Sequence, residues 1–116
     1  MARKQAVLLD LYDTALSCDF TAHDLELPRI AGVAQTTWTA RTRALAAPIM
    51  DGSISLATAF ADVMTRAGGS ADPDLVETMV RRDQELLLQG AVLYPDTIPF
   101  LQRVRARGMK TALISN

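Results

Sequence analysis

Two continuous apolar runs, QAVLLDLY at residues 5–12 and MKTALIS at residues 109–115, lie near opposite ends of the chain, and neither has helical spacing. Short runs of this kind suit parallel strands buried on both faces. The first is interrupted at Asp10, with Tyr12, Asp13 and Thr14 close behind, and the second ends in Ser115 and Asn116. A buried strand seldom stops at a carboxylate without a chemical or capping reason.

The pattern between the runs is helical. Pro28 suits the first turn of a helix, and RIAGVAQTTWTARTRALAA then continues to Pro48, although Gly32 and four threonines lower its propensity. In DGSISLATAFADVMTRAGG, Ser53 or Ser55 can cap, Leu56, Phe60, Val63 and Ala67 share a stripe, and Gly68-Gly69 stop the helix. In ADPDLVETMVRRDQELLLQG, Asp72 caps, Pro73 takes the first turn, and Leu75, Met79, Val80, Leu86 and Leu87 make the apolar face up to Gly90. The turn YPD then leads to a helix predicted from Thr97 to Arg107, capped by Asp96. In that helix Phe100, Leu101 and Val104 face the core, and Arg103, Arg105 and Arg107 lie near its C-terminal end.

The order strand, helical insert, helix, strand makes an α/β fold. Two strands are few for it, because a parallel pair needs cover on both faces. Residues 1–116 are therefore expected to be the front part of a larger α/β domain, or one half that needs a complementing chain. Exposed strand edges would also favour association with a second copy.

Composition excludes several classes. A formal net charge of -1 argues against a sequence-independent nucleic-acid binder. No apolar stretch reaches the roughly 18–20 residues of a spanning helix, so no membrane role is expected. The opening MARKQAVLL is too brief in its apolar part for a signal peptide, since Asp10 ends it. The single cysteine, Cys18, excludes an internal disulfide and fits a reducing cytoplasm.

In open α/β sheets, ligands bind beyond the carboxyl ends of the strands. Asp10 ends one strand and Ser115-Asn116 the other, so both can face one crevice. A carboxylate there can attack an electrophilic carbon or phosphorus and form an ester, while a hydroxyl and a backbone N–H hold an anionic group. The alternative is a turn-capping Asp and a Ser-Asn pair that merely starts a loop.

With these residues in view, VLLDLYDTAL resembles the first motif of the haloacid dehalogenase superfamily of hydrolases, a hydrophobic strand followed by D-x-x-x-T. TALISN resembles its second motif, a hydrophobic strand ending in Ser or Thr and commonly followed by Asn. The insert and YPDTIPFLQRVRARGMK fit the helical cap and the helix leading into the second motif. The resemblance covers nearly the whole chain. It implies a Rossmann-like parallel sheet, of which only the first two strands are present, formed by residues 1–16 and 91–116, with an inserted all-helical cap at 17–90. It also implies Asp10 as nucleophile, Thr14 supporting its loop, Ser115 and the backbone of Asn116 binding the substrate's phosphate or carboxylate, and a small-molecule substrate. The family's lysine and its metal-holding acidic pair have no counterpart in this sequence, and Lys110 precedes the second strand, at the wrong end to serve.

Phosphatases of this superfamily usually read D-x-D, the second Asp protonating the leaving group. Tyr12 stands at that position here, and Asp13, one residue later, is a weaker candidate general acid/base. A Tyr resembles the 2-haloacid dehalogenase branch, in which halide leaves without protonation and no cofactor is needed. A phosphatase would use Mg2+, with Asp10 among its ligands. The dehalogenase branch binds halide through a cap arginine, for which Arg41 and Arg43 are candidates, although Thr39 and not an arginine directly follows Trp38. On the alternative reading Trp38 packs in the cap and both arginines are solvated.

His23 has no Cys or His partner at ligand spacing and is expected to take a surface or capping role. Cys18 reads as a passive thiol, Arg81, Arg82 and the arginines at 103–107 as solvated helix faces, and Gly68-Gly69 as a helix stop. Two functions are therefore expected: a hydrolase using Asp10, dehalogenase-like or phosphatase-like, or an incomplete, non-catalytic member acting as an interaction module.

Overall fold

A computed structural model of the protein describes residues 5–115. In chain order the elements are β1 (Ala6–Asp10), β2 (Leu16–Cys18), α1 (Thr21–Ala31), α2 (Gln35–Ala44), α3 (Ala46–Met50), α4 (Leu56–Arg66), α5 (Pro73–Gly90), β3 (Ala91–Leu93), α6 (Thr97–Ala106) and β4 (Lys110–Ile114). The chain is mixed α/β and mostly helical, and it divides into two units. One holds residues 5–19 and 90–115; the other is Phe20–Gln89.

In the α/β unit the two apolar runs pair with each other. β1 and β4 lie parallel, in a register running from Ala6 with Lys110 to Asp10 with Ile114. β2 and β3 pair antiparallel, Leu16 with Leu93 and Cys18 with Ala91, so residues 17–19 belong with the sheet-forming unit and not with the helices. The strands are not buried on both faces as their composition predicts: Leu8, Leu113 and Ile114 are exposed. Within this unit α6 packs against β4, and one helix cannot cover both faces of a parallel pair.

α6 begins one residue after Asp96, but the Asp96 side chain makes no capping hydrogen bond. Its backbone (φ -92°, ψ -8°) is already helical, whereas a capping residue needs extended backbone to turn its side chain back onto the first amides. At the other end, Gly108 N–H donates to the Arg105 carbonyl and Met109 N–H to the Val104 carbonyl, the paired bonds of a Schellman stop.

The helical unit departs from the sequence reading in its first half. The single helix expected from Pro28 to Pro48 is three: α1 starts earlier, at Thr21, and carries Pro28 inside it. Gly32, at φ 69°, then ends α1, with Gly32 N–H on the Arg29 carbonyl and Val33 N–H on the Pro28 carbonyl. That left-handed conformation suits glycine, which has no Cβ to clash. Pro28 forgoes one intrahelical bond, and burial of its ring beside Leu27 and Ala31 offsets part of the loss.

The second half follows its punctuation more closely. The Ser55 hydroxyl accepts the Thr58 N–H at 3.1 Å, and the Asp72 carboxylate accepts the Asp74 N–H at 3.0 Å ahead of α5. The core joins Leu27 and Ala31 of α1, Trp38 of α2, Phe60, Val63 and Met64 of α4, and Val76, Met79 and Leu86 of α5. Trp38 and Phe60 stack at 5.2 Å between ring centroids, tilted by 46°. On α5 the expected Met79 and Leu86 are buried and Leu75 and Val80 are half-buried against the core, while Val76 and Asp83, which the expected face did not include, are also inside, so a carboxylate is among the buried side chains. No described helix is long and apolar enough to cross a membrane.

Candidate active site

Asp10 closes β1 opposite Ile114, and the Leu11 N–H extends the pairing by donating to the Ile114 carbonyl at 3.0 Å. The chain then curls tightly. Ala15 and Leu16 both send their N–H groups to the Leu11 carbonyl (3.0 and 3.1 Å), and the Asp13 N–H bonds the Leu16 carbonyl at 2.7 Å. This curl places Asp13 at φ 61°, a left-handed conformation that Asp tolerates better than most residues. It also folds Thr14 back over the strand end, where its hydroxyl donates to Asp10 Oδ2 at 3.3 Å. Asp10, Tyr12, Asp13 and Thr14 are all exposed. The result is a carboxylate at an open strand end, with one oxygen held by a hydroxyl four residues on.

A residue that sequence reasoning passed over fastens this curl. Thr97, buried at the start of α6, donates its hydroxyl to the carbonyl of buried Ala15 at 2.6 Å, and the Tyr94 N–H reaches the same oxygen at 3.2 Å. A threonine at a helix start carries no signal for a partner 82 positions earlier. Beside it lies a cavity of about 220 Å3 lined by Leu9, Thr14, Asp96, Thr97, Phe100 and Arg103. Arg103, read from the sequence as a solvated helix face, is thus on a cavity wall with Thr14, where its guanidinium can attract an anion.

Ser115 follows Ile114 directly, so it leaves the sheet at the same edge as Asp10, and it is exposed. Asn116, the other predicted anion-binding residue, lies outside the described residues. Lys110 pairs with Ala6 at the opposite end of the strands. Arg41 belongs to the helical unit, where it is half-buried on α2 beside a shallow depression of about 200 Å3 shared with Ala44, Leu45, Asp62 and Arg66. Trp38 is buried in the core and Arg43 is exposed. Among the described residues no group of three or more His, Cys, Asp or Glu side chains is placed to hold a metal ion.

The helical unit holds charged groups that the sequence did not mark. His23 is not a lone surface residue. Its Nε2 lies 2.5 Å from Asp83 Oδ1 and its Nδ1 3.2 Å from Asp24 Oδ1. The hydrogen bond to Asp83 raises the pKa of the imidazole above its ordinary value; burial opposes the rise, and Asp24 adds to it. Nor is Arg82 simply solvated. It grips Glu26 through Nε and Nη2 (2.6 and 3.0 Å) and Glu85 through Nη1 (3.0 Å). These pairings hold Glu26 below the usual carboxylate range and Arg82 above its ordinary value. Burial, with Asp19 adding to it, pushes the Cys18 thiol up, which keeps it protonated and poorly nucleophilic. No protein-family model matches this sequence, and no curated protein matches it.

Proposed function

We propose that this chain carries the nucleophile and anion-binding strand ends of a hydrolase of the haloacid dehalogenase type, built on a Rossmann-like sheet with a helical cap and acting on a small cytoplasmic molecule. The observation that supports it most is the parallel register, in which Asp10 and the residue before Ser115 are direct partners. That arrangement brings the carboxylate and the hydroxyl to one edge, where α/β sheets bind ligands.

In the dehalogenase-like form, an Asp10 oxygen attacks the halogen-bearing carbon of a 2-haloacid and halide leaves with the bonding pair. Water then attacks the carbonyl carbon of the resulting ester, releasing the hydroxy acid and regenerating the carboxylate. Thr14 orients Asp10 through its hydrogen bond, and Ser115 with Asn116 holds the substrate carboxylate. Tyr12 favours this form, because halide needs no proton on departure. A phosphate ester would need a general acid, for which Asp13 is the candidate, and Mg2+ held in part by Asp10. Arg41 is retained as the candidate halide ligand.

A second reading, a non-catalytic interaction module, draws support from the exposed Leu8, Leu113 and Ile114, which a second copy or a complementing chain would cover.

Turnover of 2-chloropropionate and of p-nitrophenyl phosphate in H2(18)O separates these readings. The dehalogenase route leaves 18O in the peptide containing Asp10, because water attacks the carboxyl carbon; the phosphatase route leaves it in phosphate. Asp10→Asn abolishes either. Product release that persists in Asp10→Asn refutes the nucleophile assignment, and release that requires Asp10 removes the module reading.

A further inference from the structure

The helical unit carries a further cavity, half open to solvent, of about 440 Å3, a volume suited to a small molecule. Its walls are mostly apolar, with Trp38, Ile49, Met50, Leu56 and Phe60 the larger contributors, while His23, Asp24 and Asp83 supply the charged side. No lysine or arginine lines it among the described residues. Asp83, only 7% exposed, uses Oδ1 for His23. Its Oδ2, with no protein donor among the described residues, is reached by solvent. Each imidazole nitrogen faces a carboxylate oxygen, so the protonated ring donates to both. Two carboxylates against one imidazolium leave a net negative charge on that wall, and the indole and phenyl groups add rings whose faces attract cations.

We propose that this cavity binds a small organic cation, a primary ammonium on a short aliphatic chain, with the ammonium at Asp83 and Asp24 and the chain against Trp38 and Phe60. An anion of the same length meets like charge, and a neutral molecule leaves the open Asp83 oxygen without a donor. The site is independent of the chemistry assigned to Asp10.

Trp38 is the only tryptophan of the chain, so its indole N–H resonance reports occupancy directly. Hexylammonium, hexanol and hexanoate are titrated into the full chain. Hexylammonium is expected to shift that resonance saturably, on the order of tenfold more tightly than hexanol, as befits a charge-assisted hydrogen bond, and hexanoate is expected to have no effect. Asp83→Asn should bring hexylammonium and hexanol together. Asp24→Asn, at a largely exposed position that leaves the core intact, should narrow the gap in part even if Asp83→Asn fails to fold. Equal affinity for hexylammonium and hexanol, a preference that survives both substitutions, or no saturable shift overturns the proposal.

Discussion

His23→Ala isolates the energetics of the buried pair between α1 and α5. The substitution leaves Asp83 at 7% exposure without its Nε2 partner. Removing one member of a fully buried ion pair typically costs about 3–5 kcal/mol, mostly from stranding the other charge. The His23 side chain is 21% exposed, so water can reach the vacated position, and about 2–3 kcal/mol is the better expectation here. Asp24, with its side chain 61% exposed, adds only a few tenths of a kcal/mol. In an Asp83→Ala background the same His23 substitution should cost about 1 kcal/mol, the loss of packing alone, giving a coupling of roughly 1.5 kcal/mol. The pH dependence has a definite sign. Because folding raises the His23 pKa above its unfolded value near 6.5, the ionic part is fully present below that value. It fades as pH climbs through the raised folded-state pKa. Urea unfolding followed by Trp38 emission, at about pH 5.5 and about pH 9, should therefore show a larger cost of His23→Ala at the acid value. A cost that is equal at both pH values and additive with Asp83→Ala would refute the reasoning.

Two further substitutions test the α/β unit. A Cβ at Gly90 would overlap the Asp19 carbonyl oxygen, whose surroundings are backbone and cannot swing aside; Gly90→Ala should cost about 2 kcal/mol, seen as a lowered urea midpoint by circular dichroism, and a change under ~0.5 kcal/mol would disprove the close approach. Thr97→Val removes one of two donors to the Ala15 carbonyl, so it should cost only about 1 kcal/mol while speeding amide hydrogen exchange at Ala15 and Leu16; unchanged exchange there would mean that Thr97 does not fasten the curl after Asp10.

The elements legible in the sequence are those whose local chemistry agrees with their fate. β1 and β4 are apolar runs with clear ends; α4 and α5 have a capping Ser or Asp, a stripe and a stop. The elements that were missed lack such marks. α1 starts after Phe20 and α2 after Ala34, neither of which supplies a capping side chain. β2 and β3 are three residues long and are made strands by each other across the whole helical unit. In the candidate active site, Asp10, Thr14 and Ser115 stand out because strand-end chemistry is local, whereas Thr97 and Arg103 become relevant only once α6 is packed. For Asp83 a signal was present that the reading of the α5 face passed over. Val76, Met79, Asp83 and Leu86 follow the 3-4-3 spacing of one helix face, so a carboxylate within that stripe announces a buried charge in need of a partner. His23, 60 residues earlier, could be matched to it only by the tertiary fold.

The pairing of β2 with β3 makes a hairpin whose turn is the entire helical unit, with the Asp19 N–H bonded to the Gly90 carbonyl at 2.9 Å at its neck. Closing a hairpin through about 70 disordered residues rather than about four would cost roughly 2–3 kcal/mol more in chain entropy. Once Phe20–Gln89 folds with its two ends together, that penalty is no longer charged to the strands. The helical unit therefore acts as an entropic clamp, and any ligand or mutation that shifts its folding equilibrium is felt, through chain connectivity alone, at the strand pair that follows Asp10.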